Sequence, residues 1–177
     1  MPRRSMCALA FVLLCASSPT AHAGIPSGRY AIGDSVMLGA KPNLQNRHIK
    51  VNAVKSRQFR DVVPLVRKLK RAGELRRRII VHLGTNGILI DPADCDRLSE
   101  IAGRHRRVYL VTLRIPRSYR DTQNSRLRAC ASRRGNTLLI DWYAYSNDHR
   151  DWFYDDGYHL NGVGRRKYAA LLDRRTS

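Results

Sequence analysis

Five short apolar runs recur along the chain, at Tyr30–Ile32, Ile49–Val54, Arg78–Leu83, Val108–Leu113 and Thr137–Asp141. They are rich in Ile, Val and Leu and mostly lack in–out alternation, the pattern of strands buried on both faces. Between them the apolar spacing lengthens to that of a helix. Phe59, Val62, Val63, Val66 and Leu69 fall on one face, with Asp61 placed to cap its start and Pro64 tolerable in its first turn. Asp91–Ala102 and Thr122–Arg133 give the next two helices, and Gly162–Asp173 the last, with Asn161 as its cap. Alternating strands and helices predict an α/β domain: a doubly wound, flavodoxin-like parallel sheet of order 2-1-3-4-5 with helices on both faces.

In that order the ligand crevice lies outside the carboxyl ends of the first and third strands. Gly33-Asp34-Ser35 follows the first strand and Gly84-Thr85-Asn86-Gly87 the third. Both polar turns therefore face one cleft. The right-handed crossover rule also sets the helices carrying Cys95 and Cys130 side by side on one face.

The first residues stand apart from this pattern. Arg3 and Arg4 precede the apolar run Cys7–Leu14, and Ala21-His22-Ala23 follows. That is the layout of a cleaved secretory signal peptide over residues 1–23, leaving 24–177 as one exported domain, periplasmic or secreted. Cys7 and Cys15 leave with the leader, so Cys95 and Cys130 remain as a pair suited to one disulfide in an oxidising compartment. Charge changes the picture further: 33 basic against 14 acidic residues give +19. The basic residues cluster at 67–71, 76–78, 104–107, 165–167 and 174–175. Such a surface attracts polyanions. RNA-binding aromatics, zinc-finger spacing and a recognition helix are lacking, so no nucleic-acid partner is expected. An anionic membrane or envelope polymer is, and the clusters could hold an anionic glycan near the cleft. No His, Cys and carboxylate group has metal-ligand spacing, so neither metal nor cofactor is expected.

Gly33-Asp34-Ser35 has two readings. Asp and Ser cap helices, and glycine permits the turn before them. Alternatively Ser35 is a nucleophile, which needs a base and an acid to orient that base. Asp156-Gly157-Tyr158-His159 supplies both in a loop before the last helix, with Asp156 three residues before His159.

With these motifs together, the chain resembles the SGNH (GDSL-type) hydrolase superfamily: "IGDSVMLGA", "VHLGTNG" and "DDGYHLNGVG" carry the likeness. "VNAVKSRQ", "VTLRIPR" and "IDWYAYSNDHRDWF" are similar in style to the extracytoplasmic catalytic domain of peptidoglycan O-acetyltransferases. The resemblance implies Ser35 as nucleophile, His159 as base and Asp156 as its orienter. It implies an oxyanion hole from the Ser35 amide, the Asn86 side chain and a second-block amide, with Gly33, Asp34 and Gly84 in support. Ser56 stands where the superfamily has glycine; an N–H survives that change, but the loop geometry comes into question.

The expected function is an exported serine esterase or O-acyltransferase, acting on O-acyl groups of an envelope carbohydrate through an acyl-serine. A separate membrane protein would deliver the acyl group if transfer is the reaction. A lipid or thioester esterase, and an inactive binding module for anionic polymers, are the competing readings. Asp155 rivals Asp156 as the carboxylate. His82 reads as a core histidine, and His48, His105 and His149 as surface residues. Trp142 and Trp152 read as core, with a sugar-stacking platform as the alternative.

Overall fold

The structure, a computed structural model, describes residues 24–177; the signal peptide expected over 1–23 lies outside the described residues. Five parallel strands form one sheet: β1 (Arg29–Gly33), β2 (Ile49–Ala53), β3 (Arg78–His82), β4 (Arg107–Val111) and β5 (Thr137–Ile140), in the order β2-β1-β3-β4-β5. The helices are α1 (Ser35–Gly39), α2 (Lys41–Gln45), α3 (Val62–Arg71), α4 (Pro92–Ala102), α5 (Arg120–Arg133), α6 (Trp142–Ser146) and α7 (Gly162–Thr176). The three central strands are buried on both faces, as their unbroken apolar runs require. One core joins alternate strand residues such as Ile32, Ile79 and Leu110 to α3, α4 and α5. The other joins Ala31, Ile80 and Tyr109 to α1, α2, α6 and α7.

Several boundaries differ from the sequence expectation, each for a local reason. Phe59–Asp61 form a separate 3₁₀ turn ahead of α3. Asp61 does not cap α3; its carboxylate accepts the Gln58 N–H at 2.9 Å, closing the turn. Asp91 and Asn161 do cap their helices, accepting from Ala93 and from Val163 and Gly164 respectively. α7 continues past Asp173, whose carboxylate is held by Arg29 and Arg47, to Thr176, whose hydroxyl donates to the Leu172 carbonyl. Gly164 lets α7 start against the Trp152 carbonyl, where any Cβ would collide.

Cys95 on α4 and Cys130 on α5 form a disulfide with Cα atoms 6.1 Å apart. The two helices lie on the same face, so the bond staples neighbours and needs no backbone displacement. Trp142 and Trp152 are buried, stacked on one another and packed with Tyr168 and Phe153 in the second core. They are core residues, and the sugar-platform alternative is set aside. The basic clusters do not line the cleft as the sequence suggested. Crossover helices run antiparallel to the strands, so the clusters ending α3 and α7 and starting β3 and β4 gather at the opposite end of the sheet. Only the 165–167 group, in the first turns of α7, lies towards the cleft.

His82, the last residue of β3, is buried against Tyr168, its Nδ1 2.8 Å from the phenol oxygen. Its Nε2 has no hydrogen-bond partner among the described residues. Burial pulls its pKa down from 6.5 to about 3. Between these values the unfolded chain binds a proton at this residue and the folded chain does not, so acid weakens the fold across that window. His82→Leu should therefore flatten the fall of unfolding free energy between about pH 6 and pH 4, by up to ~1.4 kcal/mol per pH unit. Urea unfolding across that range reads the slope. Parallel slopes for variant and wild type would contradict the assignment.

Candidate active site

β1 ends at Gly33, beside Ala53 of β2 and His82 of β3 in register. The chain turns directly into α1, and Asp34, not Ser35, is the cap: its Oδ1 accepts the Val36 N–H at 3.0 Å. Ser35 becomes the first helical residue, half-buried, and its side chain turns away from the helix start. Its Oγ lies 2.9 Å from His159 Nε2. His159 Nδ1 lies 2.6 Å from Asp156 Oδ2. A carboxylate at Nδ1 favours the tautomer with its proton there, leaving Nε2 to accept the Ser35 hydroxyl. That arrangement can take a proton from an attacking hydroxyl and stabilise the imidazolium that results.

Asp156 is held by its own loop. Oδ1 accepts the N–H groups of Tyr158 and His159 at 3.0 and 2.9 Å. Burial alone would raise its pKa; the Tyr158 amide, the His159 ring and the His159 amide outweigh it and bring the carboxyl below its ordinary value. The loop is closed by Tyr154 N–H to His159 O and by a bridge between Phe153 and Leu160. Arg150 donates to the carbonyls of Tyr154 and Asp155, and Arg114 to that of Gly157. The rival Asp155 is fully exposed, its carboxylate 4.0 Å from Arg150.

The other two loops reach the same turn. Asp34 Oδ2 accepts the Thr85 hydroxyl and, at 3.3 Å, Asn86 Nδ2. Burial pushes the Asp34 pKa up, opposed first by the Thr85 hydroxyl and then by the Val36 amide. Asn86 also donates to the Arg57 carbonyl at 3.1 Å. Gly84 sits at φ +120°, with Leu113 and Ile90 about to touch any Cβ, so the turn after β3 requires glycine there. The β2 loop passes through Ser56 at φ +60°, the left-handed conformation that glycine adopts freely. Its serine does not abolish the turn; it imposes strain on it. Neither the Ser35 nor the Ser56 N–H has a hydrogen-bond partner among the described residues.

Sequence reasoning missed the residues that brace these loops. Arg57 donates to the carbonyls of Gly33 and Asn52. Gln58 bridges the Ser56 and Asn86 carbonyls. Gln123 on α5 holds the loop after β3 through Gly84, Ile88 and Ile90. Tyr119 donates to the Thr85 carbonyl at 2.9 Å. Arg57 and Gln58 adjoin Ser56, so proximity to the second motif was a usable signal. Nothing local marks Gln123 or Tyr119.

No family profile matches the chain. It is 34% identical over 146 residues to peptidoglycan O-acetyltransferase OatA of Listeria monocytogenes, covering 80% of this chain and 23% of that protein. It is 32% identical to O-acetyltransferase OatA of Staphylococcus aureus, covering 80% of this chain and 24% of that protein. The chain thus spans about a quarter of the length of these relatives. Among solved structures, the C-terminal catalytic domain of Streptococcus pneumoniae peptidoglycan O-acetyltransferase A superposes with a TM-score of 0.74 at 20% identity, covering 85% of this chain and 93% of that one. The family 3 carbohydrate esterase of Clostridium thermocellum gives 0.62 at 10% identity, covering 82% and 93%.

The strain at Ser56 is open to measurement. Ser56→Gly should relieve a left-handed penalty of about 1–2 kcal/mol, partly offset by the greater freedom of glycine in the unfolded chain. A rise in Tm of a few degrees is expected. A fall in Tm would show that the serine side chain itself holds the loop.

Proposed function

The chain belongs to the SGNH (GDSL-type) hydrolase superfamily, and on that footing we propose that it is an exported serine-dependent O-acyltransferase. Its group is O-acetyl and its acceptor a cell-envelope carbohydrate. The single observation that carries the chemistry is the run of hydrogen bonds Ser35–His159–Asp156 at 2.9 and 2.6 Å. Similarity to peptidoglycan O-acetyltransferases supports the choice of group and acceptor.

In this reading Ser35 Oγ attacks the carbonyl carbon of an acyl ester while its proton passes to His159 Nε2. The negative charge that develops on the carbonyl oxygen is met by the free N–H groups of Ser35 and Ser56. Asn86 joins them by giving up its long 3.3 Å contact to Asp34 while keeping the shorter one to Arg57. Such preorganised donors are each worth roughly 10²–10³ in rate. Collapse expels the alcohol, which takes the proton back from His159. A sugar hydroxyl, deprotonated by His159, then attacks the acyl-serine and carries the acyl group away. Water is the competing acceptor, and hydrolysis is the outcome when no sugar is bound. A positioned hydroxyl outcompetes water because effective molarities of oriented groups reach about 10⁵ M or more. The acyl donor in this reading is a membrane protein that delivers the acyl group; no helix among the described residues is long and apolar enough to cross a membrane.

Ser35→Ala and His159→Ala should each cut acetate release from an activated acetyl ester by about 10³-fold or more, since nucleophile and base act as a unit. Asp156→Asn should cost less than either, and Asp155→Asn should leave the rate unchanged. With envelope oligosaccharides present, the wild type should yield O-acetylated sugar. Wild-type activity in a folded Ser35→Ala protein would overturn the mechanism. Free acetate alone across a broad acceptor panel would reduce the function to an esterase.

A further inference from the structure

The end of the sheet opposite the site has a charge pattern that the catalytic reading does not use. Arg29, Arg78 and Arg107 begin three neighbouring strands and are paired in register, Arg29 with Arg78 and Arg78 with Arg107. Arg77 and Arg104 stand exposed in the turns that lead into β3 and β4, and the exposed Lys70 and Arg71 end α3. Arg133 and Arg134 end α5 and its turn, and with Arg104 and Arg107 they line an open concavity of about 660 Å³.

Acidic residues at this end are already engaged. Glu74 is paired with Lys50, Glu100 with Arg134, and Asp173 with Arg29 and Arg47. Among the described residues, Arg71, Arg77, Arg104 and Arg107 form no ion pair, so their charge is unspent. The helix carbonyl termini face the same way and add a negative dipole end that suits these cations. That effect is confined to the last turn of each helix and does not account for the arginines at the strand starts.

We propose that this end is a docking face for an anionic lipid bilayer. The charge is spread in two dimensions, across strand starts and the ends of helices on both sides of the sheet. A flexible polyanion would instead be tracked by a single stripe or groove. Residues 26–28 lie on this end, where Arg77 N–H donates to the Pro26 carbonyl, Arg78 N–H to that of Gly28, and Arg76 to that of Ser27. Five-residue strands separate the two ends by roughly 17 Å before the loops are added. Docked this way, the protein holds Ser35, Asn86 and His159 on the side away from the lipid. The proposal does not depend on the catalytic reading.

The test is vesicle flotation of the full chain, wild type and the triple variant R77Q/R104Q/R107Q, at exposed positions outside the site. Vesicles are phosphatidylcholine alone or with about one-third phosphatidylglycerol. The wild type should float with the anionic vesicles and be released as NaCl rises from about 50 to 500 mM. The triple variant, which carries the same residues 1–23, should bind them at least about tenfold more weakly, so that any contribution from the leader cancels in the comparison. Hydrogen exchange of the vesicle-bound wild type should show protection at residues 76–78 and 104–107 and none at 154–159. Equal binding to both vesicle types, wild-type binding by the variant, or protection centred on 154–159 would overturn the proposal. So would a variant-sensitive complex with soluble polyphosphate in the absence of any binding to anionic vesicles.

Discussion

The carboxylate of Asp34 is the joint on which the site depends. One oxygen caps α1 through the Val36 amide, and the other receives Thr85 and Asn86 from the loop after β3. The group is fully buried, so each of these bonds is made in place of water, and losing one leaves a polar atom unsatisfied. Through this residue the turn that presents Ser35 and the turn that presents Asn86 become one unit. The sheet order makes that possible, because only with β1 between β2 and β3 do three consecutive loops converge. His159 arrives from the far end of the chain on a loop with its own internal bracing, and meets a surface already assembled.

Much of the fold was legible because its signals are local or follow from general rules. Unbroken apolar runs at Ile79–Val81 and Val108–Val111 mark strands covered on both faces, and right-handed crossovers then restrict the strand order. Asp91 and Asn161 announce their helices by capping chemistry that needs only the adjacent amides. Asp61 looked the same from sequence, yet its carboxylate closes a 3₁₀ turn through Gln58. A cap and a turn bond draw on the same short-range geometry, and the backbone path that distinguishes them is set by Phe59 entering the core.

The candidate site was legible in its members and opaque in its supports. In the proposed mechanism Ser35, Asn86, Asp156 and His159 have roles that restrict residue type and spacing. Gln123 and Tyr119 merely need a side chain long enough to reach a carbonyl from another element, which many residues could satisfy. Ser56 lies between these cases: its identity departs from glycine, but its φ of +60° shows that the backbone kept the glycine-like path. The basic clusters were visible in sequence, but their placement was not. It required knowing that helix ends and strand starts share one edge of a parallel sheet, which moves most of the charge away from the cleft.

The central claim is that an acyl group passes through a covalent bond to Ser35. Rapid quenching of the wild-type protein with an activated acetyl ester, followed by peptide mass spectrometry, observes that bond directly. An acetyl group on the peptide containing Ser35 within the first turnover, lost faster when a sugar acceptor is added than by hydrolysis alone, is the predicted result. Product forming at full rate with Ser35 unmodified throughout, or the acetyl group residing on another residue, would contradict it.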